Sequence, residues 1–354
     1  MTRRGFLAAA AAACLSSAAL AEGLTDKPTG EHMIIGNVDH FRVSEPLFEG
    51  PRVVLSFLGE KYSPAYIQGI SGAAFRIAGP CPCAPDCSTQ MFTTDLLKLL
   101  GYSYTQSILG WTGDVEDAKR NMTPLIPKIK ESIRAGKPVL LWYAFNDTAY
   151  EVVAGYDDAE GAFLGRHAWQ GPKDDMAKAK QTRAQEAAAS CPAFGAIFIG
   201  QKTGALDARA AELAALKEAV RHARSTTVRP DSYRREGLLA YGGWVEKFQQ
   251  SGARRGPGDS YCQSVYRSTH RAAGEFLKEI APKYAAAAGD ELSNAAPEFA
   301  AEADTLDRCS SLIGWQSPEQ DAARDAKLWP LLAEARDRYA AGIGHIEKAL
   351  ARLG

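Results

Sequence analysis

Between residues 123 and 203, apolar and polar positions follow first a helical period and then a strand period. Thr123-Pro124 supplies a capping residue and a proline at the first helical position, Ile126, Ile129 and Ile133 recur at helical spacing, and Gly136 closes the stretch. After Lys137-Pro138, VLLWYAF (139–145) is a continuous apolar run that predicts a buried strand. YEVVAGYD (150–157), a turn over 158–161 and AFLG (162–165) predict two more strands in hairpin order, and FGAIFIG (194–200) predicts a fourth. From Ala205 onward the strand signals stop. Leu213, Leu216 and Val220 recur at helical spacing, as do Phe276, Leu277 and Ile280, and Ile343, Ile346, Leu350 and Leu353. Breaks fall at Gly256-Pro257-Gly258, Gly289 and Ser317-Pro318. The pattern predicts an α+β domain over 22–203, helices first and an antiparallel sheet after them. An all-α helical bundle over 204–354 follows without a long flexible linker.

Residues 1–21 stand apart. Arg3-Arg4-Gly5-Phe6-Leu7, an alanine-rich apolar run and Ala19-Leu20-Ala21 form a charged start, a hydrophobic segment and a small-residue cleavage site. This predicts an export signal of the twin-arginine type and a periplasmic or secreted product. Lipidation at Cys14 is the lesser alternative, because Ala11 is a poor residue three places before a lipid-bearing cysteine. No later run approaches the roughly 18 apolar residues that span a bilayer, so no membrane association is expected once the signal is removed. Without Arg3 and Arg4 the balance is 39 basic to 42 acidic residues, a formal charge of −3. No basic block occurs, which argues against a nucleic-acid partner. Hydrophobic residues at 46% and charged residues at 23% are ordinary for a globular chain able to bury a core.

Seven cysteines less Cys14 leave an even number, which in an exported chain predicts disulfides. Cys262 and Cys309 lie on two helical patterns joined near Gly289, so an antiparallel hairpin brings them to similar heights and a bridge is expected. CPCAPDC, Cys81 to Cys87, has three readings. Two disulfides pin a proline-rich loop, one of them reaching Cys191, with no cofactor. Alternatively Cys81, Cys83 and Cys87 bind zinc or copper, completed by Cys191 or a histidine. In the third reading one of them is a reactive thiol. His167, in GRHAW, follows the third strand and reads either as a hydrogen-bonded structural histidine or as a functional group near a cleft. Trp142, Tyr143, Tyr150 and Tyr156 lie on paired strands, as core or as one aromatic face of a small-molecule pocket.

FEGPRVVLSFLGE (48–60) resembles the start of the central helix in the papain-like cysteine peptidases that process double-glycine leaders, where Cys-Gly-Pro opens an apolar stretch ending in glycine. Glu49 stands in the cysteine's place. IKESIRAGKPVLLWYAFNDTAYEVVAGYDDAEGAFLG (129–165) follows the helix, Gly-x-Pro, strand and Gly-Tyr-Asp order of the same folds. Together with GLLAYGGW (237–244), the stretch from about Met33 to Gly314 resembles the family named after the butirosin biosynthesis protein H amino-terminal domain. The resemblance implies a papain-like domain followed by a helical partner, and for the family's best-known member an acyl transfer from a carrier-protein thioester to an amine.

Here the histidine position is filled by Ala149 or Tyr150, so both partners of the dyad are absent and thiolate chemistry does not carry over. The leading expectation is a non-catalytic protein that binds a small ligand or peptide in a degenerate cleft. Its candidate contacts are Glu49, Trp142, Tyr150, Glu151 and Asp157. A second reading is an amide- or thioester-directed acyltransferase or hydrolase using Cys81, Cys83 or Cys87 with His167 as base. A third is a periplasmic metal-binding protein built on Cys81, Cys83, Cys87 and Cys191. Glu49 reads as an acid complementing the helix dipole, or as a carboxylate held charged by the helix start and therefore weakly basic. The sequence carries no signal for an oligomeric state.

Overall fold

The computed structural model describes residues 32–45, 47–79, 85, 91–108, 115–146, 150–171, 173–184, 195–227, 235–250, 257–313 and 321–353. In chain order the first elements are β1 (His32–Ile34), α1 (Glu49–Phe57), α2 (Pro64–Ile70), β2 (Ala78–Gly79), α3 (Thr93–Leu99), β3 (Tyr102–Ser107), α4 (Val115–Met122) and α5 (Leu125–Arg134). There follow β4 (Val139–Trp142), β5 (Tyr150–Asp157), β6 (Ala162–Arg166), β7 (Ala177–Lys180) and β8 (Ala196–Lys202). The remainder is α6 (Ala208–Ala223), β9 (Arg235–Glu236), α7 (Gly237–Gln249), α8 (Pro257–Ile280), α9 (Gly289–Ile313) and α10 (Ala322–Leu353). The chain is thus a mixed α+β protein with an antiparallel sheet. Among the described residues no helix is long and apolar enough to cross a membrane.

The chain groups into two compact units, each assembled from separate stretches. The first takes the described residues up to His40 and Thr105–Phe198; the second takes Phe41–Tyr104 and Ile199–Gly354 as far as they are described. This grouping differs from the linear boundary expected between residues 203 and 204, because α1, α2 and α3 go with the C-terminal helices.

In the first unit the strands run β8-β4-β5-β6-β7, all pairs antiparallel. β5 is the central strand, with every residue from Tyr150 to Tyr156 buried, as a strand covered on both faces requires. β4 pairs along its first half, Trp142 opposite Tyr150, and β1 continues the same edge with Ile34 opposite Gly155. That continuation needs Gly155, since a Cβ there would stand 2.7 Å from the Met33 carbonyl oxygen. The helix predicted at Thr123 starts one to two residues later, with Pro124 at the N-cap, and its deepest face is Leu125, Ile129 and Ile133 rather than one led by Ile126. Helix ends shift by this much when no side chain caps them. Two strands in this unit lacked a clear pattern. β1 is three residues long, and β7 is AKAK with both lysines exposed, a charged edge of the kind that discourages further strand pairing.

In the second unit α8, α9 and α10 pack lengthwise, α7 lies on α10, and α2 lies on α8. The Phe276-Leu277-Ile280 stripe is fully buried as expected. On α6 the predicted Leu213-Leu216-Val220 stripe is rotated: the buried face is Ala211, Ala215, Leu216 and Ala219, because small residues let the neighbouring helices approach. α2 and α8 meet still more closely at Gly69, where a Cβ would lie 2.2 Å from the Phe276 ring. The two-residue strand β9, pairing with β2, lies in a region that carried no strand signal.

The hairpin of α8 and α9 has the predicted register, since Gln263 Nε2 donates to the Leu306 carbonyl at 2.7 Å and to Ser310 Oγ at 2.8 Å. The expected Cys262–Cys309 bridge is not formed. Both are buried thiols, Cys262 against a cavity and Cys309 in the helical core, where burial pushes its pKa up to about 12. Matching heights are necessary for a disulfide but do not aim the two Cβ vectors at each other.

Candidate functional site

The start of α1, where the resemblance puts a nucleophile, is closed and polar. Glu49 is 0% exposed. Its Oε1 accepts from the Arg42 backbone N–H at 2.9 Å and from Arg52 Nε at 2.7 Å, while Oε2 meets no hydrogen-bond donor among the described residues. The side chain therefore does not cap the helix. No side chain caps the helix; Glu45 instead holds the turn that enters it, accepting from the backbone N–H of Leu47 at 3.2 Å and of Phe48 at 2.7 Å. The charged, weakly basic Glu49 expected at a helix start is also corrected. Burial pushes its pKa up to about 7, Arg52 opposes that rise, and nearby Glu45 adds to it.

In the first unit Trp142, Tyr150 and Glu151 are likewise buried and engaged. Trp142 and Tyr150 meet edge to face at 5.1 Å across the β4–β5 pair, and Gln106 Nε2 donates to the Tyr150 hydroxyl at 3.0 Å. Glu151 accepts from the backbone N–H groups of Phe145 and Asn146, holding the loop after β4. Arg183 fastens the same loop through the carbonyls of Tyr143 and Asn146, both at 2.9 Å, and Tyr143 adopts a left-handed φ of 57° there. His167 is half-buried, with Nδ1 at 2.9 Å from Asn146 Nδ2, and burial lowers its pKa. Asp157 Oδ1 accepts from the Glu160 N–H at 3.1 Å in the β5–β6 turn, and its Oδ2 lies 3.5 Å from His32 Nδ1. The Gly-Tyr-Asp segment thus has a structural account residue by residue: close approach of β1, a buried ring, and a turn.

Ala149, Cys81, Cys83, Cys87 and Cys191 lie outside the described residues. Among the described residues no group of three or more His, Cys, Asp or Glu side chains is arranged to hold a metal ion.

A half-enclosed space lies in the second unit, beside the extended segment that leads from Phe75 to β2. Besides the short β2–β9 pairing, the backbone of this segment is held by side chains from three helices. Tyr339 of α10 donates to the Phe75 carbonyl at 2.8 Å, and His270 Nε2 of α8 lies 2.8 Å from that of Arg76. His222 Nε2 of α6 lies 2.8 Å from the Ile77 carbonyl, while the Tyr266 hydroxyl of α8 accepts from Ala78 N at 2.9 Å and donates to Ala78 O at 2.8 Å. The pKa values of the two histidines are shifted in opposite directions. Burial lowers the pKa of His222 to about 3. Burial acts to lower that of His270 too, but the Glu302 carboxylate, 2.6 Å from Nδ1, outweighs it, so the His270 pKa is raised above the usual histidine value.

Ala78 and Gly79 then form one wall of a half-enclosed cavity of about 410 Å³, with Ala240, Trp244, Cys262 and Tyr266 among its other lining residues. Its polar side is an anchored pair. Lys247 Nζ donates to both oxygens of Asp259, at 2.9 and 2.6 Å, and Trp244 Nε1 donates to Oδ1 at 3.1 Å. A concave, largely apolar space with a few fixed polar groups is the ordinary form of a small-molecule site. Sequence reading passed over Arg235, Lys247 and Asp259. The available signal was GLLAYGGW, whose paired glycines leave one side of a helix without side chains, next to an indole. No family model matches the chain, and no curated protein is significantly similar to it.

Proposed function

We propose that this chain is an exported, non-catalytic binding protein: a papain-like scaffold without its cysteine and histidine, joined to a helical bundle that holds a small ligand. The observation that carries the reading is the cavity of about 410 Å³ in the second unit, within the roughly 300–1,000 Å³ range of ligand pockets. The buried state of Glu49 supports the non-catalytic half, because a side chain with no exposed surface and a fixed arginine partner meets neither substrate nor water. Its burial, with that of Trp142, Tyr150 and Glu151, also moves the ligand away from the cleft first expected at those residues and into the helical unit. Arg3-Arg4 and the alanine-rich run after them support export.

The test is a thermal-shift screen of small, partly apolar compounds against the parent chain and Ala240→Phe, which fills the cavity from its α7 wall. At least one compound is expected to raise the parent's Tm and to leave the variant's unchanged, with equal far-UV circular dichroism. A shift of the same size in both proteins, or no shift with any compound, would reject the cavity as the binding site.

A further inference from the structure

We infer that the cavity selects a small carboxylate: an anionic head on a flat apolar body, the head received by Arg235. This rests on the cavity-binding reading above and names its ligand class. The charged groups that line the space are Arg235, Lys247, Glu246 and Asp259. Lys247 and Asp259 neutralise each other through two hydrogen bonds, and Trp244 takes part of the same carboxylate, so this corner offers no net charge. Glu246 is exposed at the rim. Arg235 is different. It is half-buried, it lies on β9 where Gly79 of β2 pairs with it, and among the described residues it makes no ion pair.

Its guanidinium lies over Gly243 on α7, with Nη1 3.0 Å from where a Cβ would stand. That arrangement sets a planar, permanently charged fork at the cavity wall, and such a fork matches a carboxylate in two parallel hydrogen bonds. Facing groups set the rest of the ligand. The Trp244 and Tyr266 side chains and the methyls of Ala78 and Ala240 are apolar surfaces suited to a flat ring or short aliphatic body. A cationic ligand is disfavoured by Arg235 itself, since Asp259, the partly buried acid at the wall, is already engaged by Lys247.

The experiment is isothermal titration of the full chain with three probes of one shape: 3-phenylpropionate, 3-phenylpropionamide and 3-phenylpropylamine. The acid is expected to bind about tenfold or more tighter than the amide, the gain of a charge-assisted bidentate contact, and the amine weakest of all. Arg235→Gln is expected to erase the difference between acid and amide by weakening the acid far more than the amide, with far-UV circular dichroism like the parent's. Arg235→Lys is expected to restore part of the acid's advantage. An amide that binds as tightly as the acid, or an Arg235→Gln variant that weakens both alike, would overturn the carboxylate assignment. If Ala240→Phe abolishes amide binding in that case, the cavity reading survives and only the ligand class falls. If none of the three binds the parent chain while the thermal-shift screen finds a compound whose effect Ala240→Phe removes, the carboxylate assignment falls and the cavity reading stands; if the screen is empty as well, both fail.

Discussion

At the start of α1, position in the helix argues for a charged Glu49 and burial argues against it, and burial wins. The helix start is worth about 0.3–1 kcal/mol to a nearby carboxylate. Removing that carboxylate from water opposes ionisation more strongly, even with Arg52 beside it, which is why the pKa rises from 4.5 to about 7. The folded protein therefore holds a proton between these values that the unfolded chain releases. The resulting stability is fully present below pH 4.5 and is lost as pH rises through about 7. Glu49→Gln keeps an acceptor oxygen for the Arg42 N–H and Arg52 and mimics the protonated acid. Urea denaturation is expected to give equal stabilities for parent and variant near pH 4.5, with the variant more stable at pH 8 by up to about 3 kcal/mol. Parallel pH profiles would contradict this. Nothing in FEGPR announces the burial, since a glutamate at a helix start is usually a solvated acid. Glu45, the acid that holds the turn entering the helix, lies outside FEGPR altogether.

Among the elements, those with a strong internal period were legible and those defined by a partner were not. β4, β5, β6 and β8 are apolar runs that read as strands wherever they occur, and α5 carries its stripe in its own ten residues. β7 and β9 exist because β6 and β2 offer them an edge; neither AKAK nor Arg-Glu has an intrinsic preference for a strand. The α6 face was misjudged for a related reason, since close helix packing favoured alanines over the leucine stripe. The same closeness makes a sharp prediction at the α2–α8 crossing. Gly69→Ala puts a methyl into the Phe276 ring, and because both helices are clamped by further contacts the core must open. A loss of about 1–3 kcal/mol or more is expected in chemical denaturation. A variant as stable as the parent would mean that α2 can slide on α8.

Over the whole molecule, the second unit depends on residues far apart in the chain. Tyr339 reaches the Phe75 carbonyl, His270 the Arg76 carbonyl, and Tyr66 donates to Glu212 at 3.0 Å. A chain restricted to residues 204–354 would leave those buried polar groups without partners and expose the face of α8 that α2 covers. It is expected to melt without a cooperative transition by circular dichroism; a sharp transition at the parent's Tm would refute that dependence. Sequence alone determined the α+β class and the order of the main helices and strands, because periodicity and residue identity are local. Only the tertiary structure decided that α1, α2 and α3 belong with the C-terminal helices, that Glu49 is buried, and that Arg235 faces a cavity. Each of these depends on which distant surfaces exclude water together, and no short stretch of sequence records its own neighbours.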